Sequence, residues 1–114
     1  MDLLEQKSVC ERVGAAYFPC DPGVKVGIAR NVLSGVEPLH GMRIPPAGGT
    51  CGWYIWAGEY SDAADFFVPL HAAHLAEWAP LAVKYLALAP GWRFIVTDTY
   101  EDVWYDEILL GRPA

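Results

Sequence analysis

The stretch that decides the fold is Gly52-Trp-Tyr-Ile-Trp-Ala-Gly-Glu59. It predicts a strand from Gly52 to Tyr60, because β-branched and aromatic residues favour strands and successive side chains of a strand point to opposite faces of the sheet. The two faces then carry different sets: Trp53, Ile55 and Ala57 on one, and Tyr54 and Trp56 on the other. Large side chains on both faces indicate a central strand or a binding face.

On the N-terminal side of this strand, the pattern predicts one helix and one further strand. Apolar residues at helical spacing favour a helix over Asp2–Val13. Partial alternation favours a strand over Lys25–Leu33. The next segment, Ser34–Gly52, holds five glycines and three prolines among its nineteen residues. We expect it to be a loop, with at most a short extended piece at Met42–Ile44.

On the C-terminal side, apolar spacing predicts helix over Phe66–Leu88, with a break at Pro80 because proline disrupts a helix interior. A strand follows at Trp92–Thr97, with Trp92 and Phe94 on its core face and Arg93 on the other. Val103–Tyr105 is expected to be short and extended. We expect the tail at Ile108–Leu110 to pack back on the core.

Composition and element order together define a fold class. The chain has 114 residues, of which 54% are apolar and 19% are charged, which excludes intrinsic disorder. Consecutive strands without a regularly alternating helix favour an α+β fold over a doubly wound one. We expect one small domain over residues 1–114, with a mostly antiparallel sheet packed against two or three helices.

The net charge of −6 disfavours two classes of partner. Proteins that bind nucleic acid or anionic membranes normally present a basic surface. No stretch has the length and apolarity of a membrane-spanning helix, and the first twelve residues lack the apolar core of a signal peptide. Three cysteines without paired spacing argue against a disulfide framework. We therefore expect a cytoplasmic protein.

The sequence holds two patterns of metal-binding or nucleophilic side chains, and neither is favoured as a site. His71 and His74 are three residues apart, and Asp65 or Glu77 could complete a metal site, but zinc needs three or four ligands at fixed geometry. Cys51 could act as a nucleophile if a nearby positive charge lowered its pKa. No such charge is evident locally in the sequence. We expect no catalytic residue, no bound metal and no cofactor.

The acidic residues form two clusters that alternate with tyrosine and tryptophan. Between Ile95 and Ala114 there are five acids and one base, Arg112. If the strands before these clusters are neighbours, the acids form one edge that binds a basic partner, with the rings as contact points. The alternative, that they only solubilise the turns, is equally weighted, and catalysis ranks well behind. The candidate partner-binding residues are Glu59, Asp62, Asp98, Glu101, Asp102, Trp104, Asp106 and Glu107.

Four stretches resemble the immunity protein 33 family of bacterial polymorphic-toxin systems. They are Gly52-Trp-Tyr-Ile-Trp-Ala-Gly-Glu59, Phe67-Val-Pro-Leu-His-Ala-Ala-His-Leu75, Tyr85-Leu-Ala-Leu-Ala-Pro-Gly-Trp-Arg-Phe94 and Tyr100-Glu-Asp-Val-Trp-Tyr-Asp-Glu107. The resemblance covers Val26 to Leu110. It implies a cytoplasmic, non-enzymatic protein that binds and neutralises a cognate toxin, and it transfers no catalytic residue. One departure is the segment Leu75–Pro80, which carries less charge than the family pattern.

Two other hypotheses about function remain open from the sequence. The first is a generic binding module for a ligand or protein. The second, which ranks lower, is a small metal-dependent enzyme that uses His71, His74 and a carboxylate. Genomic neighbourhood and metal content discriminate between these readings and the immunity reading.

Overall fold

The computed structural model describes residues 3–111, and one six-stranded mixed sheet organises them. The strands in chain order are β1 (Lys25–Ala29), β2 (Leu39–Arg43), β3 (Thr50–Ala57), β4 (Phe67–His71), β5 (Trp92–Val96) and β6 (Glu101–Tyr105). Their order across the sheet is β4-β1-β3-β2-β5-β6. β1 and β3 are parallel, and the other four neighbouring pairs are antiparallel. The predicted α+β fold with a mostly antiparallel sheet is confirmed.

Helical segments connect and cover the strands. Two are α-helices, α1 (Leu3–Val13) and α2 (Leu75–Trp78). Four are 3₁₀ turns, at Arg30–Ser34, Ala72–His74, Pro80–Tyr85 and Glu107–Gly111. Within residues 3–111, no helix is long and apolar enough to cross a membrane.

Two predicted helix features are confirmed. α1 buries Gln6, Val9 and Cys10 and ends at Val13 as predicted. Its predicted first residue, Asp2, lies outside the described residues. Pro80 does break the helix, because α2 ends just before it and a 3₁₀ turn begins at the proline itself.

The sheet has two different faces. The covered face packs against α1 and the helical segment 72–88, and it forms the main core around Trp53, Tyr85 and Phe94. The open face carries a smaller cluster around Trp56 and Leu109. The predicted alternation along β3 is confirmed: Trp53, Ile55 and Ala57 belong to the covered face, and Tyr54 and Trp56 to the open face.

The first strand is shorter than predicted. β1 ends at Ala29, and the predicted continuation to Leu33 is a 3₁₀ turn in which Leu33 is 58% exposed. Asn31 explains the departure from the sheet. Its amide donates a hydrogen bond to the Ala57 carbonyl at 2.7 Å and accepts one from the Ala57 N–H at 2.9 Å. These bonds fix the turn against the end of β3.

The prediction of a loop over Ser34–Gly52 was wrong, because the segment contains the central strand β2. The pattern did not predict this strand because it contains a glycine and a charged arginine, which are not typical of a buried strand. Gly41 is required by packing, since a Cβ there would lie 2.1 Å from the Phe94 ring. Arg43 ends the strand and is fully buried. The predicted extended piece at Met42–Ile44 overlaps only the end of β2.

The prediction of helix over the first part of Phe66–Leu88 was also wrong, because Phe67–His71 is the edge strand β4. The Ala72 N–H donates to the Val24 carbonyl at 2.8 Å, which sets the alternation of the ladder. The Gly27–Pro69 pair is therefore a non-hydrogen-bonded one. The nitrogen of Pro69 faces away from β1, where a missing N–H costs no ladder bond.

The C-terminal predictions hold in part. β5 places Phe94 in the core with Trp92 against it, and Arg93 on the open face, as predicted. β6 begins at Glu101, two residues earlier than expected. In the tail, Leu109 packs into the open-face cluster at 2% exposure, but Ile108 is 74% exposed.

Candidate functional site

The open face carries a cluster of aromatic rings that pack edge to face. Phe67 lies at its centre, with ring centroids 4.9 Å from Phe66 and 5.1 Å from Tyr54. Tyr60, from the loop after β3, approaches Trp56 at 5.3 Å. Edge-to-face contacts of this kind add to the energy of burial. The cluster therefore holds the loop after β3 against the sheet while leaving Tyr60 half exposed.

Beside this cluster lies a shallow pocket of about 200 Å³ lined by Met42, Trp56, Tyr60 and Arg93. The guanidinium of Arg93 lies over the ring of Trp104 at 5.4 Å, and it contacts the Asp106 carboxylate at 3.4 Å. Its Nε is buried and has no hydrogen-bond partner within residues 3–111. The pocket thus joins apolar walls to a cation that is only partly satisfied.

His40 forms another wall of the open face. Its ring stacks on Trp56 with centroids 5.0 Å apart and planes 6° apart. Burial lowers the pKa of His40, and the charge of Arg93 lowers it further, against a hydrogen bond with Gly58 that raises it. The neutral imidazole is therefore favoured, and His40 serves as one more flat apolar surface.

Five of the eight candidate partner-binding residues are exposed carboxylates without an internal partner. Among residues 3–111 they have neither a hydrogen bond nor an ion pair. They are Glu59, Asp62, Asp98, Asp102 and Glu107. Asp102 and Trp104 lie together on the open face of β6, where they pair with Ile95 and Arg93 of β5. Unpaired exposed carboxylates can take a basic group from a partner.

The other two candidate acids are engaged within the chain. Asp106 pairs with Arg93, and its Oδ1 accepts the Ile108 N–H at 3.2 Å, so it holds the turn at Glu107–Gly111. Glu101 points to the covered face. It contacts Arg12 at 2.9 Å and Lys84 at 3.7 Å, and it accepts a hydrogen bond from the Tyr85 hydroxyl.

This network sets the ionisation of its members. Burial raises the pKa of Glu101, but the hydrogen bonds from Tyr85 and Arg12 and the charges of Arg12 and Lys84 outweigh it and hold the pKa below its usual value. Burial, with the hydrogen bond to Glu101, raises the pKa of Tyr85. Glu101 therefore stabilises the fold and is poorly placed to receive a partner.

The two acidic clusters, one in the loop after β3 and one around β6, lie at different positions of the sheet. β3 and β6 are not neighbours, because β2 and β5 lie between them. The loop that carries Glu59 and Asp62 and the turn that carries Asp98 leave from the same end of the sheet, since Ala57, Leu39 and Val96 are in register. Asp106 and Glu107 lie at the opposite end of β6. The acids thus frame the open face at both ends.

The two histidines considered for a metal, His71 and His74, are both exposed. The ring centroids of His71 and His74 are 6.3 Å apart, and His74 contacts Glu77 at 3.4 Å. Over the described part of the chain, no three His, Cys, Asp or Glu side chains are grouped so that they could hold a metal ion.

Sequence reasoning missed Arg43, which supplies the positive charge that Cys51 lacks locally in the sequence. The guanidinium donates to the carbonyls of Cys51, Phe18, Leu86 and Leu88 at 2.6–3.1 Å, and Nη2 lies 3.4 Å from Cys20 Sγ. The sequence around position 43 does not predict these hydrogen bonds, because the accepting carbonyls are up to 45 residues away.

The thiols around Arg43 behave as a pair. Interaction with the Cys20 thiol lowers the pKa of Cys51 against burial, and the charge of Arg43 lowers it further. The same interaction and burial raise the pKa of Cys20, whose Sγ lies 3.6 Å from the Leu86 carbonyl oxygen. Both thiols are buried and free, so the buried cation of Arg43 lies among thiols in the core.

Together these features define a small α+β domain whose distinctive surface is a sheet face of rings framed by carboxylates. A family model described as the Imm33-like domain matches residues 5–106. The chain therefore belongs to the Imm33-like family, as the sequence resemblance indicated. No curated protein and no solved structure matches the chain.

Proposed function

We propose that residues 1–114 act as a single immunity domain that binds a cognate bacterial protein toxin in the cytoplasm and neutralises it without catalysis of its own. Membership of the Imm33-like family supports the class of protein. The observation that supports the contact surface is the set of exposed carboxylates, unpartnered within residues 3–111, that lie around the open face and Trp104. A basic toxin surface is the complement of such a surface.

The two kinds of side chain have different roles in this proposal. Exposed carboxylates such as Asp102 and Glu107 act over distance and raise the association rate with a basic partner. Rings such as Trp104 and Tyr60 lose exposed apolar area in the complex and slow dissociation. Glu101 and Asp106, which were among the sequence candidates, act indirectly by holding β6 and the turn after it.

The test uses the toxin domain encoded beside this chain, co-expressed and then studied by binding kinetics at two salt concentrations. The variant Asp102→Asn, Glu107→Gln removes two exposed charges. We expect the association rate to fall several-fold at low salt, and the wild-type rate to fall steeply with salt, because exposed charges are screened over about 8 Å at physiological ionic strength.

A matched control removes the same charge elsewhere. Asp21 and Glu77 are both exposed and lie outside β6 and the turns that flank it. Asp21 lies beside the end of β4, since the Ala73 N–H donates to the Pro22 carbonyl, and Glu77 lies on α2. The variant Asp21→Asn, Glu77→Gln should retain the wild-type association rate. If both double variants slow association equally, only net charge matters. If the wild-type protein neither binds the toxin nor protects cells, the proposed function is wrong.

A further inference from the structure

The two edge strands of the sheet differ in what their free edges present. β4 exposes the backbone groups of Phe67, Pro69 and His71, because its hydrogen-bonded pairs with β1 fall on the residues between them. Pro69, the middle one of these three residues, has no N–H, and its ring occupies the outward position where an N–H would otherwise donate. A proline is one of the devices that stop an edge strand from pairing further.

β6 carries no such block. The Thr97 N–H donates to the Tyr100 carbonyl at 2.9 Å, and the Asp106 N–H donates to the Gly91 carbonyl at 2.7 Å. In an antiparallel ladder these positions fix the alternation, so the even-numbered residues of β6 bond to β5. Glu101, Val103 and Tyr105 therefore turn their N–H and carbonyl groups outward, and no hydrogen bond within residues 3–111 reaches those groups.

We propose that the free edge of β6 takes an extended segment of the toxin as a seventh strand; this rests on the proposed function. Backbone pairing of this kind supplies affinity, and the alternating side chains supply specificity. On the open face, the neighbours of the added strand are Asp102 and Trp104, which suit lysine or arginine through an ion pair and a cation–π contact. On the other face they are Val103 and Tyr105, which suit apolar side chains.

Charge selects this occupant over a second copy of the chain. Each chain has a net charge of −6. An antiparallel pair of β6 strands centred on Val103 would bring the acidic segment 98–107 of one copy against the same segment of the other, and like charges across a strand pair are destabilising. The complementary segment is a basic one, as expected for the toxin surface.

Residue-resolved amide exchange by NMR tests the proposal on the intact chain, alone and saturated with the toxin domain encoded beside it. In the free protein, the amides of Glu101, Val103 and Tyr105 should exchange fast, and those of Asp102 and Trp104 slowly. In the complex, the three outward amides should each slow by at least tenfold. A saturated complex in which they exchange as in the free protein would overturn the added strand and leave the proposed function standing.

A pair of variants at Val103 tests the added strand independently. Val103→Pro removes one outward N–H without removing a bond to β5, and Val103→Ala loses a similar part of the side chain but retains the N–H. We expect the proline variant to weaken toxin binding at least tenfold relative to the alanine variant. Equal affinities would contradict the proposal, and the exchange experiment decides it if the proline variant does not fold. Absence of any binding by the wild-type chain would overturn both proposals.

Discussion

Two arginines on neighbouring strands show how the faces of this sheet differ. Arg43 ends β2 and points to the covered face. Arg93 lies on β5 opposite Met42 of β2, and it points to the open face. Arg43 is 1% exposed, and its donors go to four carbonyls and a thiol. The Arg93 side chain is 29% exposed, and in the described part of the chain it has one carboxylate partner and an Nε without a hydrogen bond. The arginine of the covered face thus bonds to buried groups of the core, and the arginine of the open face stays partly exposed.

The largest expected effect comes from removing these arginines in turn. Arg43→Ala leaves several buried carbonyls without a donor, and we expect it to lower the free energy of unfolding by about 3–5 kcal/mol. Arg93→Ala loses a partly exposed ion pair and a stacking contact, which together are worth about 1 kcal/mol. Urea unfolding of both variants measures the difference. Equal losses would show that the two faces are not energetically distinct.

A smaller difference is expected between the tryptophans of β3. Trp53 is fully buried and its Nε1 donates to the Leu86 carbonyl at 2.9 Å. Trp53→Phe should therefore cost about 2–3 kcal/mol, from the lost bond and the cavity. Trp56, on the open face, makes ring contacts, and its Nε1 has no hydrogen bond to any residue from 3 to 111. Trp56→Phe should cost about 1 kcal/mol by the same measurement, and the reverse ranking would contradict the assignment of faces.

The smallest effect is a pH dependence that separates adjacent residues of β6. The pKa of Glu101 is held below its ordinary value of 4.5, so its contribution to stability is present above pH 4.5 and is lost as the pH falls through the lower folded pKa. Glu101→Gln should flatten the loss of stability below pH 4.5. Asp102→Asn is the control at the adjacent residue, and its stability at neutral pH should match that of the wild-type protein, because the Asp102 side chain has no hydrogen bond or ion pair within residues 3–111. Chemical unfolding at neutral and at several acidic pH values checks both.

The local sequence pattern was sufficient to predict a strand or helix whose own residues show which of its faces is apolar. The alternation along β3, the extent of α1 and the break at Pro80 all follow from nearest neighbours in the sequence. The strand β2 could not be found this way. Gly41 is explained only by the Phe94 ring above it, and Arg43 only by carbonyls from distant segments.

The candidate site shows the same limit. The alternation of β6 predicts that Glu101 and Asp102 face opposite ways, but the sequence does not show which face the helices cover. The structure shows that Glu101 meets Tyr85 and Arg12 on the covered face. Proline at position 69 has a similar ambiguity, because the residue fits the first turn of a helix and the free edge of a strand equally well.

Pro69 also limits how many molecules can join in one assembly. A sheet with two open edges can grow from both, and repeated growth leads to fibres. With Pro69 at one margin, extension is confined to the β6 margin, and a second molecule added there meets no continuation on the far side of the first. In the proposed complex, association through this sheet ends at one partner per chain, which favours a defined stoichiometry over open-ended polymerisation.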